Sequence, residues 1–188
     1  MIHPLTTLTL GPLLYAQGKY VRRVTPVLPS PRGRRYGTAG QGAPLRLLVV
    51  GDSAAEGVGA EIQEETLAAQ TVMRLAQTRT VQWRLVARTG ATTEGILGHL
   101  RKRRPETFDV AVTSLGVNDV TAGRGLSTWL RQQRAVYRVL RERFGVTQIV
   151  VSGLPPVSKF PALPQPLRWY LGSRAQEFDA ALETLAGE

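Results

Sequence analysis

A chain of 188 residues with 43% hydrophobic content has the length and apolar fraction of one globular domain with a sizeable core. It contains no cysteine, which excludes disulfides, thiolate metal sites and a cysteine nucleophile. The formal charge of +10 points first to nucleic acid, yet no zinc-finger spacing, RNA-binding signature or aromatic ladder accompanies it, so no nucleic-acid partner is expected. The charge is also uneven. Lys19, Arg22, Arg23, Arg32, Arg34, Arg35 and Arg46 all precede Asp52, with no acid among them. Such a segment is either a solvated basic arm or one that sits against an anionic surface such as lipid headgroups.

Leu5 to Ala16 is moderately apolar and is followed by Lys19, Arg22 and Arg23. A secretory signal has its positive charges first, so this order favours a cytoplasmic or membrane-peripheral protein over a secreted one. Gly11 and Pro12 interrupt the stretch, which is too short to span a bilayer. Two readings remain for residues 1–35: an interfacial anchor on anionic lipid, or a helix packed on the domain's own surface. Residues 26–44 are rich in Pro, Gly and Arg and read as a linker. The expected division is therefore an arm and linker over 1–45 and a folded domain over 46–188.

From Arg46 onward, apolar runs alternate with helical periods. Leu47 to Val50, ended by Gly51, predicts a buried strand. A helix follows the Gly57-Val58-Gly59 turn, with Ala68, Val72 and Leu75 at helical spacing. Val81 to Ala87 is the next strand, and a helix runs from about Thr93 to Arg103. Val110, Val112 and Leu115 mark a third strand, and Leu126, Trp129, Leu130, Val136, Tyr137 and Leu140 a long helix. Gln148 to Val151 is a fourth strand. After a proline-rich loop, Ser173 and Gln176 read as a capping box for a last helix that bears Phe178, Ala181, Leu182 and Leu185 on one face. Strand and helix in alternation imply a mainly parallel sheet covered on both faces, with ligands bound outside the carboxyl ends of the strands.

Three of those ends carry small or polar residues: Gly51-Asp52-Ser53, Arg88-Thr89-Gly90 and Gly116-Val117-Asn118-Asp119. A serine there has an exposed hydroxyl near backbone N–H groups that favour negative charge. Attack on an ester carbonyl builds an oxyanion, so donors must converge on it; the amides of Ser53 and Gly90 and the carboxamide of Asn118 are available. Serine is also a common helix N-cap, and Asn a common loop residue. Asp52 reads as holding its turn, and Asp119 as a loop or helix cap.

Taken together, these three stretches resemble the first three sequence blocks of the SGNH, or GDSL, hydrolase family. The resemblance covers Arg46 to about Gly153, with the last helix as a further candidate. It implies an α/β fold, a three-layer α/β/α flavodoxin-like sandwich with a mainly parallel sheet, and esterase, lipase, thioesterase or deacetylase activity on acyl esters, including lipid esters, with no cofactor and no metal. By the same resemblance Ser53 is the nucleophile, and its amide, Gly90 and Asn118 form the oxyanion hole. Two departures stand out. Ala54 replaces the usual leucine after the serine, and the family's Asp-x-x-His block, which supplies the general base, would lie beyond Glu188, so the natural chain is expected to continue. His3, in the arm, and His99, on the helix after the second strand, read as surface or capping residues. Rival readings are a catalytically inactive binding protein on this fold and a nucleotide-binding module; the latter lacks the third fingerprint glycine, since position 62 is Ile62. Arg131, Arg134, Arg138 and Arg141 form a basic stripe that reads as a solvated face, and Phe160, Trp169 and Tyr170 either line an acyl pocket or pack on the sheet.

Overall fold

The computed structural model describes residues 4–187, with side-chain surroundings from Thr9 onward. Its centre is a five-stranded sheet in the order β1-β3-β2-β4-β5, formed by β1 (Tyr36–Ala39), β2 (Ala43–Gly51), β3 (Arg79–Ala87), β4 (Val110–Ser114) and β5 (Gln148–Val151). All pairs are parallel except β1 with β3. Leu47 to Val50 are all buried because both faces of β2 are covered, so the strand reads as a continuous apolar run with no alternation.

Successive residues of β2 serve opposite layers. Leu48 and Val50 face a core built with α4 (Thr93–Lys102), α6 (Leu126–Phe144) and α7 (Leu167–Ala186). Leu47 and Val49 face a smaller core that includes Ala68 and Val72 of α3 (Leu67–Leu75). These are the three layers expected from the alternation of elements. Two short helices, α2 (Ser53–Glu56) and α5 (Val117–Thr121), start directly after β2 and shortly after β4.

Three expectations differ from the structure. The stretch read as a linker contains β1, an edge strand, and β2 begins at Ala43, ahead of the expected boundary. Four residues with Gly37 packed against the Trp83 ring leave no periodic signature in the sequence. Ser173 and Gln176 lie inside α7, which starts six residues earlier, and they form no capping box. Caps come from elsewhere: Gln165 Oε1 accepts the Trp169 N–H at 3.1 Å, and Gln17 Oε1 accepts the Leu167 N–H at 3.1 Å.

Gln17 belongs to α1 (Pro4–Val24), which packs on α7. Leu14 is buried in the larger core with Leu10 and Val21 beside it, and Gln17 Nε2 donates to the Gln165 carbonyl at 2.7 Å. Of the two readings of the arm, the structure displays the helix packed on the domain's own surface. No helix among the described residues is long and apolar enough to cross a membrane.

Candidate active site at the strand ends

Register brings the site together. Gly51 pairs with Ala87 on one side and Ser114 on the other, so β2, β3 and β4 end at one level and deliver Ser53, Gly90 and Asn118 to the same edge. At Gly51 a Cβ would lie 2.4 Å from the Ser114 carbonyl oxygen and 2.5 Å from Ala55 Cβ, so only glycine lets α2 begin this close to β4. Asp52 is the N-cap: its Oδ1 accepts the Ala54 N–H at 3.0 Å. Ser53 is therefore the first residue of α2 and is not its cap, which leaves its side chain half-buried on the wall of a cleft.

Gly90 adopts φ +72°, a backbone conformation that a side chain would strain. The N–H groups of Ser53 and Gly90 donate to no other described residue. Two unpaired amides on one cleft are what an oxyanion requires. The loop that carries Gly90 is held by Glu56, a residue the motif reading passed over. Its Oε2 accepts the Thr89 N–H at 2.6 Å and the Thr89 hydroxyl at 2.8 Å. Its Oε1 accepts the Ser30 hydroxyl at 3.2 Å and pairs with Arg35, 3.2 Å away. A glutamate three residues after the serine, on a four-residue helix among small residues, was the available signal.

Asn118 lines the cleft, but both of its N–H groups are engaged: Nδ2 donates to Asp52 Oδ2 at 3.1 Å and to the Ala91 carbonyl at 3.0 Å. Two acceptors fix the orientation of the carboxamide. Burial, with repulsion from Asp119, pushes the Asp52 carboxyl above its ordinary range, against the hydrogen bonds from the Ala54 amide and Asn118. Asp119 is fully buried, and its Oδ2 accepts the Thr93 N–H at 2.9 Å and the Thr93 hydroxyl at 2.8 Å. It thus ties α5 to the start of α4, and Trp129 Nε1 donates to the same hydroxyl at 3.1 Å.

The cleft has a volume of 740 Å³. Tyr170 lines it, with Leu163, Leu167 and Leu171, whereas Phe160 and Trp169 do not and are exposed. His99 is exposed on α4 and is not among the cleft residues; partial desolvation, then Arg103, Arg88, Arg35 and Lys102, hold it below its ordinary pKa. His3 lies outside the described residues. No group of three His, Asp or Glu suited to a metal occurs among the described residues.

Fold and site together define a three-layer α/β/α protein of the flavodoxin-like kind, with a serine-bearing cleft at the carboxyl edge of its sheet. Residues 49–188 match the model of the GDSL-like lipase/acylhydrolase family, and the chain belongs to that family. A GDSL-like esterase of Mycobacterium tuberculosis is 33% identical over 129 residues, which are 66% of this chain and 40% of that protein. The chain thus spans about two fifths of the length of that curated relative. Among solved structures, a lipolytic G-D-S-L protein of Veillonella parvula superposes with a TM-score of 0.60 at 11% identity, over 77% of this chain and 73% of the other. An extracellular lipase of Streptomyces rimosus gives 0.55 at 20% identity, over 76% of each chain. Both likenesses show the shared fold.

Proposed function

We propose that this protein hydrolyses carboxylic ester or thioester bonds through an acyl-enzyme on Ser53. The observation that supports the reading is that Ser53 and Gly90, whose N–H groups have no partner among the described residues, line one cleft with apolar walls. Attack by Oγ on the carbonyl carbon moves an electron pair onto the carbonyl oxygen, and the two amides stabilise that charge. Asn118 joins them by exchanging its bond to the Ala91 carbonyl for one to the oxyanion, while Asp52 keeps its other N–H oriented. Collapse expels the alcohol or thiol, and water then releases the acid and regenerates Ser53.

The serine proton must go to a base, and no imidazole lines the cleft among the described residues. Family resemblance assigns that role to a histidine in an Asp-x-x-His block. A diffusible base tests the serine in the chain as it stands. Added imidazole is expected to accelerate covalent labelling of this chain by a fluorophosphonate, with the label on Ser53 by peptide mass. Equal labelling of Ser53→Ala, or none at Ser53 with or without imidazole, would overturn the proposal.

A further inference from the structure

The strand ends supply only part of the cleft beside Ser53. Its other walls come from α1, with Leu14 and Val21, and from α7, with Leu167 and Leu171. The same two helices bring Lys19, Arg22 and Arg174 to the cleft, and among the described residues no Asp or Glu lines it.

Among the described residues these cations have no carboxylate partner. Ion pairs form elsewhere, between Arg35 and Glu56, Arg46 and Asp109, Arg84 and Glu106, and Arg124 and Glu94. Lys19 and Arg22 are exposed and enter none of them; Lys19 Nζ lies over the Tyr15 ring, 5.5 Å from its centre. Arg174 donates to the Arg124 backbone carbonyl and stacks 5.5 Å from the Phe178 ring, contacts that leave its charge uncompensated. A concave apolar wall with charges of one sign around it concentrates the potential and attracts a ligand of the opposite sign.

We infer, on the footing of the ester-hydrolase reading, that α1 is a specificity-determining wall of the active site and that the substrate is an amphiphilic ester bearing an anionic group. The apolar chain of such an ester rests on Leu14, Val21, Leu167 and Leu171. Its phosphate or carboxylate meets Lys19, Arg22 and Arg174. A neutral ester of equal chain length keeps the first set of contacts and loses the second.

Binding tests this without turnover. The chain is titrated calorimetrically at low ionic strength with dodecyl phosphate, dodecanoate and dodecyl maltoside, each as monomer. Both anions are expected to bind more tightly than the maltoside, and the tighter of the two identifies the anionic group. Lys19→Glu with Arg22→Glu is expected to weaken both anions by about tenfold and the maltoside by less than about twofold. Arg23→Glu with Arg101→Glu makes the same change in net charge at exposed positions off the cleft, and is expected to leave all three ligands within about twofold. Lys19→Gln with Arg22→Gln gives the same order with smaller losses and serves if charge reversal impairs folding. Equal affinity for the anions and the maltoside, or equal losses in the two reversed pairs, overturns the inference. So does binding to anionic vesicles with none to the monomeric anions, which would assign the cations to a membrane surface. Failure of Ser53 to label with the fluorophosphonate would remove the hydrolase and leave this binding result standing.

Discussion

At the scale of single residues, the candidate site rests on carboxylates that hold its loops in place. Glu56 is buried and joins three segments: its own helix, the Thr89-Gly90 loop, and the Ser30 to Arg35 stretch ahead of the sheet. Hydrogen bonds to a buried charge are among the stronger kinds, and loss of one partner leaves the others unsatisfied. Glu56→Gln is expected to lower stability by about 1–3 kcal/mol in urea unfolding. As a positioning residue for Gly90 it is also expected to slow imidazole-assisted labelling of Ser53 under conditions where the variant remains folded. An unchanged labelling rate would confine Glu56 to stability. Asp119 offers a pH test. Burial raises its carboxyl pKa, so in the window above the ordinary value of about 3.9 the folded protein binds protons more readily than the unfolded chain. Its contribution to stability is therefore present at low pH and lost as pH rises through the raised value. Asp52 acts in the same direction, whereas Asp109, held low by its hydrogen bonds from Arg46, contributes stability that is lost as pH falls below the ordinary range. Asp119→Asn keeps an acceptor for Thr93 and removes one titrating group, so Tm is expected to fall less than in the parent as pH rises above the ordinary carboxyl value of about 3.9. Calorimetry with an unchanged slope would reject this.

At the scale of elements, α1 shows tertiary contact overriding local preference. Gly11, Pro12 and Gly18 all disfavour a helix interior, and an internal proline alone costs about 3 kcal/mol. The helix persists because Leu14 enters the core and Gln17 satisfies both the Gln165 carbonyl and the Leu167 N–H. Leu14→Ala is expected to cost about 2–4 kcal/mol, against less than about 0.5 for the exposed Leu13→Ala, read from urea midpoints. Equal effects would mean that α1 is not docked in solution. The same contacts explain why the start of α7 escaped sequence reading. Its first N–H groups are satisfied by Gln17, which is 150 residues away in sequence, and by Gln165, so no local S-x-x-Q signal marks the true terminus.

At the scale of the molecule, the parallel sheet was readable because burial on both faces requires unbroken apolar runs, and Leu47 to Val50 is such a run. The four predicted strands all form, and helices cover both faces, because a strand with a 3.6-residue period after it has few other stable arrangements. Ser53, Gly90 and Asn118 were legible as candidates since each follows a strand, and the register of Gly51 with Ala87 and Ser114 places all three at one edge. Local pattern thus determined the element types, and it pointed to the sheet edge where the candidate residues meet. Tertiary structure alone decided that Asn118 is already committed to Asp52 and Ala91, that Glu56 anchors the Gly90 loop, and that α1 walls the cleft with Lys19 and Arg22, which have no carboxylate partner among the described residues. Such contacts join residues dozens of positions apart, and no periodicity or spacing along the chain encodes which polar group a distant fold partner will meet.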